Sequence, residues 1–337
     1  MILIDALYIN NGGGKVLLDY LVEHLEATNL PIYYLLDKRV ESKPYNIKST
    51  NIVRYVSASL QKRYFFYQKH STKFSKVFCF GNLAPQKKLQ IPVYTYFHQP
   101  MYLKISKELP LKEYISFCIK ERIFRYLLKN TDELWVQTPL MQAGIEKKKF
   151  ISGQKIKLLP FYRNEDLTKS FSKIKNSFIF ASTGTPYKNH IRLIDAFCSF
   201  YSKHRQGTLI LTIDEDKFPE LAQLIDNRIA EGFPIENIGF VDRKTLVEVY
   251  QRTEYHIFPS LAESFGLGIV EAIECGCKII GADLPYMHEI CEPSIVFDPL
   301  NEKAIEQAFQ QAISKEERPT VQKITNKIKE LIQRLES

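Results

Sequence analysis

The chain has 337 residues (39.3 kDa), a length that as a prior suggests two domains of ordinary size. Its hydrophobic content of 45% and charged content of 25% are typical of a globular protein and exclude a disordered or fibrous chain, and no apolar run is long enough for a transmembrane helix. The net charge of +8 is unevenly placed, because residues 1–175 hold 29 Lys and Arg against 14 Asp and Glu, whereas the remainder holds 17 against 24.

The chain begins with the pattern strand, glycine loop, helix. Residues 1–5 contain an early acid and no basic start, so we expect no signal peptide and a cytoplasmic protein. An apolar run at 2–9 predicts a buried strand, glycines 12–14 interrupt it, and apolar residues then recur at helical spacing as far as Leu25. This order is typical of a doubly wound α/β domain. Further strands are predicted at 32–36, 77–80, 93–97 and 133–136, with a helix at 111–129.

A long basic stretch without acids lies in this half. Between Glu41 and Glu108 there are twelve Lys and Arg and no Asp or Glu. Such a charge pattern predicts an anionic partner: a nucleic acid, a phospholipid surface or a phosphorylated acceptor. A solvated basic surface without a partner is the alternative. Basic residues also lie beside the apolar stripe of the predicted helix 111–129, where a core-packed helix is favoured over membrane contact.

The second half repeats the alternation of strands and helices. Residues 160–177 are polar and basic without an apolar period, which predicts a linker. Strands are predicted beyond it at 178–181, 208–213, 238–241, 255–258 and 278–281. Helices are predicted near 191–203, 218–231, 244–252 and 265–275. The tail 301–337 is helical in composition, interrupted by Pro319, and could fold back on the rest of the chain.

The segment FPSLAESFGLGIVE at 258–271 is the most informative for chemistry. A strand ends there, a loop contains Glu263, and a helix is predicted to begin near Phe265. Unpaired backbone amides at Phe265, Gly266 and Leu267 would then lie at the positive end of a helix dipole, which favours a phosphate or another anion. The same residues fit a surface glutamate beside a buried capping glycine, so this segment alone leaves both interpretations open.

Three segments together resemble a known family. Glu263-x7-Glu271, with Ser-Phe-Gly-Leu between, resembles the signature of retaining glycosyltransferase family 4, which has the GT-B fold. Thr185-Pro-Tyr-Lys188-Asn-His resembles that family's phosphate-binding segment, and Ile-Gly-Phe-Val-Asp at 238–242 resembles the stretch before its nucleotide pocket. The resemblance is strong in order and spacing over 178–290 and weaker over the N-terminal half.

The resemblance implies an α/β fold of two Rossmann-like domains that face each other across a cleft. An N-terminal acceptor-side domain would comprise residues 1–163 together with a C-terminal helix at 320–337 that returns to it. A nucleotide-sugar-binding domain would span 164–319. The implied reaction is a retaining, metal-independent transfer of a hexose from a UDP- or GDP-linked sugar, with no further cofactor. The implied acceptor is a glycan or a polyprenyl-diphosphate-linked chain in surface polysaccharide biosynthesis, at an anionic membrane surface that the basic domain would contact.

The resemblance also assigns roles to residues. Glu263 would face the donor sugar near the reacting carbon, Lys188 would neutralise the departing diphosphate, and His98 would lie near the donor sugar. Glu271 would hold the ribose, and the glycine loop would approach the diphosphate. The implied binding residues as a whole are Gly13, Gly14, Thr185, Phe240, Val241, Ser264, Phe265, Gly266, Leu267 and Glu271, with Phe240 and Val241 near the base. We expect a cleft in which Lys188 and the amino end of the Phe265 helix grip a pyrophosphate.

One departure from the family concerns a cation. The family has Gly-Arg before the Lys-Asn segment, and Ser182-Thr183 stands here instead. Arg192 is a possible substitute, although a structural surface arginine is favoured. Asp214-Glu215-Asp216 is interpreted as a solvated turn and not as a metal site. The six cysteines form no C-x-x-C pair and indicate reduced structural thiols without a metal.

Two other classes of function stay open. A sugar-nucleotide epimerase or a phosphorylase could use a similar fold, although the two glutamates argue against the epimerase. A basic protein that binds nucleic acid or membrane without activity would use the N-terminal half, but no nucleic-acid-binding motif is present and we expect no nucleic-acid partner.

Overall fold

The chain folds into two compact units, each built on its own parallel sheet. The computed structural model describes residues 1–42, 44–103, 105, 111–151, 153–164 and 171–337. The first unit comprises Met1–Arg163 and Thr325–Ser337, and the second comprises Asn164–Ile324. Residues 165–170 of the predicted linker, and Lys43, Lys104 and Lys107 of the basic stretch, lie outside the described residues.

The first unit contains seven strands and five helices among its described residues. The strands are β1 (Ile2–Ala6), β2 (Ile32–Asp37), β3 (Ile52–Val56), β4 (Lys76–Cys79), β5 (Val93–Phe97), β6 (Glu133–Val136) and β7 (Lys155–Leu158). The helices are α1 (Gly12–Glu26), α2 (Leu60–His70), α3 (Leu111–Leu128), α4 (Pro139–Lys147) and, from the end of the chain, α11 (Ile328–Glu336).

Sheet A has the strand order β3-β2-β1-β4-β5-β6-β7, and all of its pairs are parallel. The strand order reverses direction between β1 and β4. The loops that follow these two strands therefore diverge, and a crevice forms between them at the carboxyl edge of the sheet. β3, α2, α4 and β7 were not predicted. β3 is exposed or half-buried along its length and therefore lacks the apolar run that marks a buried strand.

Helix α3 is packed differently from the core-packed helix that the sequence favoured. Its buried residues are confined to the last turns, at Phe124, Leu127 and Leu128. Leu111, Ile115, Ile119 and Tyr126 are exposed large apolar side chains on the opposite side. The prediction failed because apolar residues occur all round this helix, and only the tertiary structure decides which of them are covered.

The second unit contains eight strands and six helices among its described residues. The strands are β8 (Ile174–Phe180), β9 (Thr208–Leu211), β10 (Ile235–Asn237), β11 (Thr253–Phe258), β12 (Lys278–Ala282), β13 (Cys291–Glu292), β14 (Ile295–Phe297) and β15 (Val321–Gln322). The helices are α5 (His190–His204), α6 (Pro219–Ala230), α7 (Arg243–Arg252), α8 (Leu267–Glu274), α9 (Pro285–Ile290) and α10 (Glu302–Ser314).

Sheet B has the order β10-β9-β8-β11-β12-β14, again parallel, and its direction reverses between β8 and β11. The predicted strand at 238–241 is wrong, because β10 ends at Asn237. The Asn237 amide bridges to the backbone of Ile213 through two hydrogen bonds (2.8 and 3.0 Å), and Gly239 then adopts φ +67°. Residues 238–241 therefore form a loop.

The start of the second unit also differs from its prediction. β8 begins at Ile174, inside the segment predicted as a linker. Lys173 donates to the carbonyls of Tyr250, Thr253 and Cys275 at 2.8–2.9 Å, and these partners are distant in sequence. Local periodicity cannot detect a strand whose anchors lie 77 to 102 residues away.

The tail divides between the two units. Val321–Gln322 pairs with β13 in the second unit, whereas α11 packs against α1 in the first. The predicted transfer of 320–337 therefore starts too early, because 320–324 belong to the second unit. Pro319 separates two helical pieces, as expected, with α10 before it and α11 after it.

Candidate active site

Lys188 and Glu263 meet at the reversal point of sheet B. Lys188 lies in the segment that follows β8, and Glu263 lies in the loop that follows the neighbouring strand β11. The Lys188 Nζ donates to Glu263 Oε1 at 2.5 Å, and both side chains are only slightly exposed (14% and 12%). In an open parallel sheet this crevice is where ligands bind.

Lys188 is held in place by Asn189, whose contacts the sequence did not indicate. A short 3-10 turn, Pro186–Lys188, ends at Asn189, which adopts φ +67°. The buried Asn189 amide donates to the carbonyls of Pro259 (3.3 Å) and Pro299 (2.7 Å) and so ties the Lys188 turn to the loop that contains Glu263. The signal available in the sequence was an asparagine directly before a helix, where Asn favours capping and left-handed positions.

Helix α8 begins two residues later than predicted. Gly266 is its N-cap with φ +65°, and the Ile269 amide donates back to the Gly266 carbonyl at 2.9 Å. A Cβ on Gly266 would lie 2.8 Å from the Ile269 side chain, so glycine is required there on two grounds. The first helical amides are those of Leu267 and Gly268, and the first turn contains no acid.

The side chains around this helix start differ in accessibility. Phe265 is 2% exposed, so its side chain belongs to the core. Ser264, Leu267 and Gly268 are half-buried. Ser264 adjoins Glu263 in sequence, so this carboxylate is followed along the chain by a hydroxyl and then by the first turn of α8.

Glu271 lies in the second turn of α8 and is paired with an arginine that the sequence did not reveal. The Arg243 Nη1, from the first residue of α7, donates to Glu271 Oε1 at 2.8 Å. The Glu271 carboxylate is nearly buried, whereas the guanidinium is about one-third exposed. Glu271 therefore offers a charge-paired carboxylate at the rim of α7 and α8, and nothing in the local pattern around Arg243 indicated this contact.

The predicted base-contacting residues lie on the loop between β10 and α7. Phe240 is 80% exposed, and the Lys217 ammonium lies 5.4 Å from its ring centroid. Val241 is half-buried next to it. An exposed phenyl ring on a glycine-containing loop is suited to stack on a flat ligand.

Arg192 supports the Lys188 turn. It donates to the Asn189 side chain and to the Pro299 carbonyl, contacts that suit the structural arginine favoured by the sequence. Thr185 is the N-cap of the 3-10 turn, and its carbonyl accepts from the Lys188 amide at 2.9 Å.

Two buried histidines lie near the Lys188 ammonium. Burial lowers the pKa of His190 and of His256 to about 3, and the Lys188 charge adds to the effect. Both rings are therefore neutral at physiological pH. Neither ring therefore adds a positive charge to that of the Lys188 ammonium.

In the first unit, Gly14 and His98 come together at the reversal point of sheet A. His98 directly follows β5, and its Cε1 lies 3.2 Å from the position that a Cβ on Gly14 would take. Gly13 has no described atom within 4 Å of such a Cβ, and both glycines belong to the first turn of α1, which contains no acid. Burial lowers the pKa of His98 to about 4, so its ring is neutral.

No cluster of three or more His, Cys, Asp or Glu side chains suited to a metal ion occurs among the described residues. No helix in the described part of the chain is long and apolar enough to span a membrane. The six cysteines, all described, are unpaired, and five of them are buried.

Comparison with known proteins identifies the family. The family model "Glycosyl transferases group 1" matches residues 163–330. The serotype-specific mannosyltransferase WbdA of Escherichia coli is 25% identical over 137 residues, which cover 39% of this chain and 17% of that protein, so the match spans a minor part of this relative.

Two solved structures show the fold. WaaG, a glycosyltransferase involved in lipopolysaccharide biosynthesis, superposes with a TM-score of 0.68 at 15% identity, covering 93% of this chain and 90% of WaaG. Anabaena HepE, solved with UDP and glucose, gives 0.65 at 15% identity with the same coverage of both chains. The predicted GT-B class, with two parallel-sheet α/β domains, is confirmed. The chain belongs to the group 1 glycosyltransferases.

Proposed function

We propose that this protein transfers a hexose from a nucleotide-diphosphate sugar to a glycan or lipid-linked acceptor, with retention of anomeric configuration and without a metal. The observation that supports the proposal most directly is the Lys188–Glu263 pair, placed at the loop that leads into α8. The first amides of a helix have no acceptor within that helix, so we infer that a cation, a carboxylate and helix amides act together on the diphosphate.

The charges match the changes in the reaction. Cleavage of the sugar–phosphate bond builds negative charge on the leaving diphosphate and positive charge on the anomeric carbon. An ammonium has three N–H donors, so Lys188 can keep its bond to Glu263 while it donates to a phosphate oxygen. In this proposal the first α8 amides add donors to the phosphates, and the Glu263 carboxylate contacts the sugar.

Glu271, Phe240 and Val241 would recognise the nucleoside. A carboxylate has acceptor sites for more than one donor, so Glu271 can accept from ribose hydroxyls beside its bond to Arg243, and the exposed Phe240 ring can stack on a base. HepE was solved with UDP and glucose, and WbdA is named a mannosyltransferase, which supports a hexose donor linked to a nucleoside diphosphate. WaaG acts in lipopolysaccharide biosynthesis, which supports a surface glycan as acceptor.

A transfer assay tests this proposal. The protein is incubated with UDP- and GDP-hexoses, with and without a polyprenyl-diphosphate-linked oligosaccharide, and nucleoside diphosphate release and product anomer are measured. We expect release that depends on the acceptor and a product with the donor's configuration. Interconversion of the donor sugar without lasting release would indicate an epimerase, and release driven by phosphate alone would indicate a phosphorylase.

The outward side of α3 supports a peripheral position at an anionic membrane. At 100° per residue the exposed Leu111, Ile115, Ile119 and Tyr126 lie within one sector, together with the exposed Arg122. The two carboxylates of α3 lie outside this sector. A helix side that combines exposed apolar and basic groups suits the interface of an anionic bilayer.

Vesicle co-sedimentation tests the membrane proposal. We expect the wild type to bind anionic but not neutral vesicles at low salt, and the double variant Ile115→Ser/Ile119→Ser to lose most of this binding. Ile229→Ser, which removes a similarly exposed isoleucine from α6 in the second unit, is the matched control and keeps it. Equal binding of both vesicle types, or loss in the control alone, would remove the membrane claim without touching the transfer reaction.

A further inference from the structure

Lys173 lies where the carboxyl ends of two helices meet. Its Nζ donates to the carbonyls of Tyr250 (2.9 Å), Thr253 (2.8 Å) and Cys275 (2.9 Å), which is one oxygen for each N–H of an ammonium. Tyr250 belongs to the last turn of α7, Thr253 is the C-cap of that helix, and Cys275 is the C-cap of α8. We call these three carbonyls the carbonyl cradle. A side chain from outside both helices thus joins α7 to α8.

The segment Cys275-Gly-Cys277 shapes one side of the carbonyl cradle. Gly276 adopts φ +77°, and a Cβ there would lie 3.6 Å from Lys173 Cε, so the turn passes in contact with the lysine. The Cys277 thiol donates to the carbonyls of Tyr250 (3.1 Å) and Thr253 (3.3 Å), and burial raises the pKa of this thiol to about 11. The Lys173 ammonium therefore meets peptide oxygens and an uncharged sulfur, which lies 3.7 Å away.

Helix dipoles make this point negative. An α-helix carries about half a negative charge at its carboxyl end, and here two such ends face the same ammonium. Tyr250, Thr253 and Cys275 are all buried, so their carbonyls depend on partners within the protein. Without the ammonium, each carbonyl would lose a hydrogen bond and two partial negative charges would face each other. Lys173 therefore stabilises the packing of the two helix ends.

The same two helices contain the Arg243–Glu271 pair. Arg243 is the first residue of α7, and its guanidinium donates to the Glu271 carboxylate of α8 at 2.8 Å. The Glu271 carbonyl accepts from the Cys275 amide at 3.1 Å, so one helical turn separates Glu271 from the carbonyl cradle. A shift of the carboxyl ends would therefore move Glu271 relative to Arg243.

We propose that Lys173 is a positioning residue, whose ammonium is an intramolecular cation that fixes α7 against α8 and thereby places the Glu271 carboxylate for a ribose. This inference rests on the proposed function, which gives Glu271 a nucleoside to bind. Neither the sequence motifs nor the comparisons assign a role to Lys173. The inference also defines a binding site, because three convergent carbonyls suit a small primary ammonium ion once the lysine side chain is shortened.

A double-mutant cycle tests the link to Glu271. Lys173→Met keeps most of the side chain and removes the ammonium, and titration calorimetry measures the affinities for UDP, GDP and pyrophosphate. We expect the Kd of the nucleotide that wild type binds to rise about tenfold, as for one lost hydrogen bond to a charged group, and the Kd of pyrophosphate to stay unchanged. In a Glu271→Gln background the same substitution should change the nucleotide Kd by less than about twofold. Lys175→Met, exposed on β8, is the matched control and should change neither affinity.

Chemical rescue tests the carbonyl cradle itself. Lys173→Ala removes three carbons and the ammonium, which propylammonium supplies again. We expect the melting temperature of this variant to fall by about 3–6 °C, and propylammonium to restore most of the melting temperature and of the nucleotide affinity without a similar effect on wild type. Tetramethylammonium, which has the charge but no N–H donor, should restore neither.

The outcomes separate this inference from the proposed function. Additive effects of Lys173→Met and Glu271→Gln, or an equal loss of nucleotide and pyrophosphate affinity, would show that Lys173 does not act through Glu271. Propylammonium that acts no better than tetramethylammonium would show that the three carbonyls do not form a cation site. If neither UDP nor GDP binds wild type, the proposed function and the role toward Glu271 fail together, and the melting temperatures still decide whether the carbonyl cradle binds a cation.

Discussion

At the scale of single residues, the Lys188–Glu263 pair suits the proposed diphosphate site, although Ser182-Thr183 supplies no arginine. A nearly buried ammonium needs a partner, and Glu263 provides it at 2.5 Å. In the proposed reaction a diphosphate would join the pair, because an ammonium has three N–H donors. Glu263 would thereby orient the cation that the leaving group meets.

The variant Glu263→Gln should separate binding from transfer. It keeps the size of the side chain and removes the negative charge that pairs with the Lys188 ammonium. The ammonium then becomes more available to phosphate. We expect a nucleoside diphosphate to bind at least as tightly as in wild type, by titration calorimetry, while the transfer rate falls by about 100-fold or more. Glu236→Gln, on the exposed side of β10, is the control. Full transfer activity in Glu263→Gln would show that this carboxylate has no part in the reaction.

The two glycines of the α1 first turn should respond differently to alanine. A Cβ on Gly14 would lie 3.2 Å from the His98 ring, closer than such contacts usually come, whereas one on Gly13 would meet no described atom. Alanine is the better helix former by about 1 kcal/mol, so Gly13→Ala should raise the unfolding free energy. Gly14→Ala should show a smaller gain or a loss, because His98 has to shift. Equal changes in urea unfolding would contradict this placement of His98.

The sequence indicated those candidate site residues that lie at junctions between predicted strands and helices. Glu263 and Lys188 follow strands and precede helices, and such junctions are visible in a single sequence. The contacts of Asn189 and of Arg243 were missed because their partners are set by the fold; Asn189, for example, bonds to a carbonyl 110 residues away. The catalytic and binding roles assigned to Lys188, Glu263, His98, Glu271, Phe240 and Val241 all stay predictions.

At the scale of elements, the buried strands were predictable and the exposed ones were not. β5 and β6 match their predicted bounds because uninterrupted apolar runs mark them, whereas β3 presents half-buried residues and has no such mark. The strand predicted to begin at residue 238 begins three residues earlier, at Ile235, and ends at Asn237. The Asn237 side chain bonds there to the backbone of Ile213. An apolar pattern indicates which residues are buried, and few residues of a short edge strand are buried.

Helix α11 is held in the first unit by the packing of its apolar side chains. It comes from the end of the chain but belongs to the first unit, with Leu331 and Leu335 fully buried there and contacts to α1. Truncating a buried leucine removes apolar contacts and leaves a cavity, so Leu331→Ala should lower the unfolding free energy by about 2–4 kcal/mol. Gln333→Ala, exposed on the same helix, should change it by less than about 0.5 kcal/mol. Similar urea unfolding curves for the two variants would show that α11 does not stabilise the unit.

At the scale of the whole molecule, three neutral histidines make stability depend on pH. Burial lowers the pKa of His98 to about 4 and of His190 and His256 to about 3, from 6.5. Below pH 6.5 the unfolded chain protonates these rings and the folded chain does not. The stability present above pH 6.5 is therefore lost as the pH falls, by up to about 4 kcal/mol per pH unit when all three contribute.

Urea unfolding at pH 7.5 and 5.5 measures this loss. The variant His256→Leu should reduce the pH dependence by about one third, because the ring lies among Phe180, Tyr250 and Phe258 and its nitrogens have no hydrogen-bond partner among the described residues. A slope unchanged by this substitution would show that His256 does not stay neutral in the folded protein.

The central claim is that Lys188, which pairs with Glu263 in the loop before α8, binds the diphosphate of a sugar nucleotide. Titration calorimetry with a nucleoside and its diphosphate, on wild type and Lys188→Ala, tests it most directly, with Lys203→Ala as control because that lysine pairs with Glu306 on an exposed surface. We expect wild type and control to prefer the diphosphate strongly, and Lys188→Ala to lose about 10- to 100-fold of that preference, as for a charge-assisted hydrogen bond. An equal preference in all three proteins would contradict the account.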